Sequence, residues 1–107
     1  MKIRDLLEAI DKDTGSDLAT IQSNVYGTES GYGKADTSKP NYAGAIGPMQ
    51  IMPGTFDWMK TKGMIPKDYD IANPQQNREA GNALLAHYYD KYGGDDAKVY
   101  AAYYGGP

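Results

Sequence analysis

A chain of 107 residues, 40% hydrophobic and 23% charged, is sized for one domain with a modest core. Its net charge of −3 argues against a nucleic-acid partner, and the absence of cysteine removes disulfides and thiolate chemistry from fold and function alike. Ten tyrosines against one tryptophan and one phenylalanine supply flat faces that carry a hydroxyl, suited both to cores and to sugar-binding grooves.

The opening MKIRDLLEAI is charged and amphipathic rather than continuously apolar, so no secretory signal is expected in it. Ile3, Leu6, Leu7 and Ile10 recur at helical spacing and predict a helix over residues 2–11. Asp13 to Ser16 reads as a turn, with Ser16 or Asp17 as N-cap of a second helix running to about Ser30. Leu18, Ile21 and Val25 form the apolar stripe of that helix, with Tyr26 at its flank. Glu29 follows Val25 by four positions and Tyr26 by three, so it falls inside the stripe. Partial burial there, and the negative end of a helix closed by Gly31, should both raise its pKa. A carboxylic acid held protonated near neutral pH suits general acid catalysis of glycosidic bond cleavage. A Glu that reaches back to water or to a neighbouring hydroxyl is the plainer alternative.

Residues 31–47 are rich in Gly, Ser, Asp, Asn, Pro and Tyr and read as a long loop, a feature that is usually functional inside a small domain. Gly47-Pro48 suits an N-cap with Pro at the first helical position, and Pro53 should limit that helix to about one turn. The uncharged run from Pro40 to Phe56 holds three Gly and three Pro, so it is no membrane span. Thr55 is expected to cap a short helix carrying Phe56, Trp58 and Met59 and closed by Gly63. Asn73-Pro74 opens the longest helix, about 74–92, and Gln76 completes a pattern resembling a capping box. Its face of Asn77, Gly81, Leu84 and Tyr88 is apolar apart from Asn77, and Gly81 suggests close approach of another helix. Gly93-Gly94 ends it, and Asp95 or Asp96 caps a last helix. No alternating apolar run is long enough for a strand, so the fold class is all-α.

Several separated motifs then fit one family. Glu29-Ser30-Gly31, the segment Gly44-Ala45-Ile46-Gly47-Pro48-Met49-Gln50-Ile51-Met52-Pro53, the pair Asn77 and Gly81, and the terminal Ala102-Tyr103-Tyr104-Gly105-Gly106-Pro107 occur in that order. Over residues from about 16 to 107 the chain resembles the catalytic domain of the soluble-type (SLT) lytic transglycosylases, related in fold to goose-type lysozyme. The resemblance implies an all-α, lysozyme-like domain acting on peptidoglycan glycan strands. It makes Glu29 the acid and then the base, with closure of a 1,6-anhydro ring on N-acetylmuramic acid. It places Ser30, Met49, Gln50 and Tyr103 at the substrate, Tyr103 through a bond to Glu29 or as a packed side chain. Three positions depart from the family pattern: Pro48 stands for Leu, Tyr104 for Asn and Gly105 for Ala. The second departure puts any substrate contact of that Asn in doubt, because a phenol hydroxyl sits farther out on a rigid ring.

One carboxyl suffices for this reaction, whereas ordinary glycosidases use two. Asp36 or Asp57 could place a water and make the chain a hydrolase, although Asp36 in its Lys-Ala-Asp-Thr-Ser setting reads as a turn residue. A glycan-binding module without turnover and a virion scaffold of lysozyme-like fold are readings from other classes. No cofactor or metal is implied, since His87 lacks partners at ligand spacing. Lys60, Lys62 and Lys67 read as a solvated face. With Met1 intact and the chain stopping at Pro107, residues 1–107 read as the N-terminal catalytic domain of a longer protein. A phage virion component acting at the bacterial cell wall is expected, against a bacterial enzyme cut from its signal.

Overall fold

The computed structural model describes residues 16–37, 40–41 and 44–105. The helix expected over residues 2–11 lies outside the described residues, as do Gly106 and Pro107. Four helices and no strands make up the regular structure among the described residues, an all-α fold.

Helix α1, Leu18–Ser30, is started by Asp17, whose Oδ1 accepts from the Thr20 N–H at 2.8 Å. Hydrogen bonds from Thr20 hold the Asp17 carboxyl below its ordinary range. Gly31 stops the helix in the left-handed region at φ 58°, its N–H donating to the Gly27 carbonyl at 2.9 Å. The Ile21 and Val25 stripe is fully buried. Polar pins fix the helix further: the Gln22 amide donates to the Asn82 carbonyl at 3.0 Å and Asn24 to the Tyr100 hydroxyl at 3.0 Å. Asp96, almost fully buried, accepts from the Ser16 N–H at 2.9 Å and holds the entrance to α1.

The segment after the loop departs from expectation. Gly47 to Gln50 form no helical turn but a β-turn, closed by the Gln50 N–H on the Gly47 carbonyl at 2.9 Å. Ile46 and Ile51 bracket it as an antiparallel bridge with two 3.0 Å backbone bonds. Pro48 takes the second turn position, where its fixed φ fits, and Gln50 leaves the turn at φ 50°. Pro53 then opens α2, Pro53–Thr61, instead of ending a helix before it. Met52 is the N-cap, so Thr55 lies inside the helix rather than capping it. Phe56 and Met59 point into the core, and the chain turns out at Gly63 as expected.

Helix α3, Pro74–Lys91, packs against α1, α2 and α4 and is the axis of the domain. Asn73 accepts from the Gln76 N–H at 3.0 Å, but the box is only half made. The Gln76 side chain accepts from the Asp70 N–H at 2.7 Å instead of reaching back to Asn73. Helix α4, Asp96–Gly105, is preceded by Asp95, which accepts from the Lys98 N–H at 3.2 Å, and closes the core with Val99, Tyr100 and Ala102.

Asn77 explains why the turn exists. Fully buried on the α3 face, its Oδ1 accepts from the Met49 N–H at 3.0 Å. Its amide nitrogen donates to the Ile46 and Ile71 carbonyls at 3.0 and 2.9 Å. Peptide groups that a helix would pair internally are thus paired by one side chain. The turn rests directly on α3: a side chain at Gly47 would overlap the Asn77 amide, and a Cβ at Gly81 would lie 2.6 Å from Met49 Cβ. Gly81 therefore makes room for Met49 of the turn, not for another helix.

Candidate functional site

The last turn of α1 brings Glu29 within electrostatic reach of Tyr103 and Tyr104 in the last turn of α4, and Tyr103 in turn bonds the Gly47–Gln50 turn. The Glu29 side chain is partly buried, and loss of water around it raises its carboxyl above the ordinary value of 4.5. Its negative charge is felt at both Tyr103 and Tyr104, two consecutive positions of α4.

Tyr103 donates its hydroxyl proton to the Met49 carbonyl at 2.6 Å. Of the two placements left open by the sequence, this is the packed one, and it leaves no phenol proton for Glu29. Burial, reinforced by the Glu29 charge, raises the Tyr103 pKa well beyond that of a free phenol, so it stays neutral. Met49 is held at both ends of its peptide, N–H by Asn77 and carbonyl by Tyr103, while its side chain is fully buried against Gly81. Gln50 braces the turn from outside: its amide nitrogen donates to the Gly47 carbonyl at 2.8 Å and its oxygen accepts from Asn41 at 2.9 Å.

Ser30 is buried just below Glu29. Its hydroxyl donates to the Tyr26 carbonyl at 2.7 Å and accepts from the Gly33 N–H at 3.0 Å, which fixes the exit of the chain from α1. Gln50 and Tyr103 line a shallow cleft of about 80 Å³ together with Met52, Thr55 and Tyr88. Of the five residues singled out in the sequence, the structure thus places Gln50 and Tyr103 on this cleft. Ser30 and Met49 lie behind the surface, and Glu29 sits at the end of α1.

Tyr104 does not present a polar group to the cleft. Its hydroxyl is sealed in the interior, where its ring stacks on Tyr100 at 6.5 Å and meets the Tyr103 ring edge-on at 5.6 Å. Burial and then the Glu29 charge raise its pKa strongly. The Thr28 hydroxyl lies near enough to offset part of that shift, yet both hydroxyls lack a hydrogen bond of good geometry. A wide ring in the place of a short amide therefore becomes packing between α1 and α4.

A larger cleft of about 380 Å³ opens on the Gly47–Pro48 side of the turn, between Asp36, Tyr26, Pro74 and Arg78. Glu29 lines neither cleft. Asp36 borders the larger cleft and Asp57 is exposed on α2, so neither lines the Gln50–Tyr103 cleft. Asn77 is the site-building residue that sequence reasoning left without a role; a lone amide inside an apolar helix face was its signal. Among the described residues no group of three or more His, Cys, Asp or Glu is placed to hold a metal ion, and no helix is long and apolar enough to cross a membrane.

No solved structure matches the chain at a significant level. The family model described as the Transglycosylase SLT domain, by contrast, matches residues 8–107, which takes in Glu29, the Gly47–Gln50 turn, Asn77 and the Tyr103 motif together. The chain belongs to the transglycosylase SLT domain family, whose activity is on peptidoglycan.

Proposed function

We propose that the chain is a lytic transglycosylase that cuts the β-1,4 bond between N-acetylmuramic acid and N-acetylglucosamine. Glu29 protonates the bridging oxygen as the bond to the muramic C1 breaks. The carboxylate so formed takes the proton of the muramic C6 hydroxyl, and O6 closes on C1 to give the 1,6-anhydro ring. Acid and base are one group, so the proton count balances without water.

The observation that carries this reading is the partly buried Glu29, raised above ordinary carboxylates at the end of α1. The Gln50–Tyr103 cleft, whose Tyr103 feels the Glu29 charge, is lined by no carboxylate, so it offers no partner carboxyl for a two-carboxyl hydrolysis. Tyr103 and Asn77 hold the Met49 peptide, and Gln50 faces the sugar from the turn that they fix. Ser30 and Met49 contribute through the backbone they order rather than by reaching the glycan.

Digestion of purified peptidoglycan, followed by mass analysis of the muropeptides, tests the reaction. Products lighter than hydrolytic ones by one water, and lacking a reducing muramic end, are expected. Reducing ends would overturn the transglycosylase reading and bring Asp36 and Asp57 back as water-placing groups.

A further inference from the structure

Beside the Gln50–Tyr103 cleft lies a second opening of about 320 Å³, lined by Thr55 and Trp58 of α2 and by His87, Tyr88 and Lys91 of α3. Thr55 and Tyr88 border both, so the two form one continuous run along the surface. We infer that the Trp58–Lys91 cleft binds the stem peptide carried by the glycan strand, an inference that rests on peptidoglycan being the substrate.

The sequence of α2 turns Phe56 and Met59 into the core and leaves Trp58 39% exposed. Its ring stands edge-on to His87 at 5.7 Å, which in turn leans on Tyr88 at 5.6 Å, so the indole is held in place rather than swinging free. Met52, 44% exposed, lines the neighbouring cleft. Two of the three large exposed apolar side chains among the described residues therefore fall on this one run. A held, half-exposed aromatic face next to a site is a feature of recognition surfaces.

The charge decides which part of the substrate fits. The N-acetylated sugars of a strand are neutral, because the lactyl carboxyl of muramic acid is consumed in the amide that joins the peptide. Lys91, one helical turn beyond His87, brings a cation to this cleft that sugars alone cannot pair. Stem peptides supply both free carboxylates for Lys91 and alanine methyl groups for the Trp58 face. His87, which lines the same opening, adds ring nitrogens that can hydrogen-bond peptide groups.

Trp58 is the sole tryptophan, so its fluorescence reports this cleft alone. The binding probes are soluble peptidoglycan fragments released by a muramidase and, as the neutral peptide-free probe, N-acetylglucosamine oligomers of the same length. Strands stripped by an amidase, which frees their lactyl carboxyls, serve only as the peptide-free substrate in turnover. With the Glu29→Gln chain, which keeps the probe uncut, peptide-bearing fragments should change Trp58 fluorescence and peptide-free ones should not. Lys91→Gln should weaken peptide-bearing fragments up to about fivefold, the range of an exposed ion pair. In turnover by the otherwise native chain, Trp58→Ala should raise KM for peptide-bearing strands roughly tenfold, a loss typical of an aromatic contact. Its KM for peptide-free strands should not move. Equal fluorescence responses to both probes, or a Lys91→Gln chain that binds them as the parent does, would overturn the inference. Fluorescence response without any turnover would overturn the proposed reaction and leave the subsite standing. Turnover without the response would do the reverse.

Discussion

Asn77 and Tyr104 both turn a polar group toward the interior, and the fold treats them in opposite ways. Asn77 uses both ends of its amide in three hydrogen bonds between 2.9 and 3.0 Å, two of which tie the Gly47–Gln50 turn and its flank to α3 while the third holds the Ile71 carbonyl ahead of that helix. Tyr104 and its neighbour Thr28 have hydroxyls equally shut from water and without a partner of good geometry. A buried hydroxyl left unpaired costs about 1–3 kcal/mol. The satisfied cluster holds the backbone that shapes the cleft, whereas the unsatisfied one lies where Tyr104 feels the charge of Glu29.

The largest effect should come from Glu29. Glu29→Gln removes the proposed proton donor while keeping the side chain's shape, and cleavage of peptidoglycan should fall by about 10² to 10⁴. Circular dichroism and the thermal midpoint should report an intact fold. A folded Gln variant that cuts at the parental rate would remove Glu29 from the chemistry.

Next in size is the loss of the satisfied cluster. Asn77→Ala takes the partner from the Met49 N–H and from the Ile71 carbonyl, whereas the Ile46 carbonyl keeps its Ile51 N–H, and should lower stability by about 2–3 kcal/mol, read from the urea midpoint. The alanine chain should lose activity at temperatures well below its midpoint, because the turn that carries Gln50 loosens before the helices melt. An unchanged midpoint would mean that water replaces the amide, and that Asn77 does not hold the turn.

Much of this architecture could be read from the residues. Asp17, Gly31, Asn73-Pro74 and Gly93-Gly94 mark helix ends through local preferences that the tertiary structure leaves in force. The partial burial of Glu29 was legible for a related reason, since helical spacing alone puts it on the buried stripe. The Gly47–Gln50 turn was not, because Pro48 is equally at home at a helix start and at the second position of a β-turn. What chooses between them is Asn77, nearly thirty positions away, reaching peptide groups that only the folded chain brings to it. The same distance hides Gly81, whose neighbour is Met49 and not another helix. Tyr104 could be recognised as a departure from the family, but only the position of its ring shows that it is packing.

Adjacent positions on α4 allow the comparison to be made with one chemical change. Tyr103→Phe deletes the donor to the Met49 carbonyl and should destabilise the domain by about 1–2 kcal/mol. Tyr104→Phe deletes a hydroxyl that has no partner and should be neutral or stabilising by up to about 1 kcal/mol. Thermal midpoints of the two variants, measured side by side, should move in opposite directions or differ by several degrees. Equal losses would mean that the Thr28 and Tyr104 hydroxyls are bonded to each other in solution, which would remove the contrast between the two clusters.

The smallest effect is the pH dependence of stability that burial of Glu29 imposes. A carboxyl raised in the folded state keeps its proton at pH values where the unfolded chain has lost it, so over that interval the folded state binds more protons. Stability contributed by this group is therefore fully present below the ordinary value of 4.5 and is lost as pH rises through the folded value. Glu29→Gln has nothing to lose over the same interval. The midpoint of the Gln variant minus that of the parent should thus increase from acid toward neutral pH and then level off. A difference that stays flat with pH would show that the folded domain ionises Glu29 as freely as the unfolded chain does. The acid would then be an ordinary exposed carboxylate, and the position of Tyr103 and Tyr104 beside it would have no bearing on its proton.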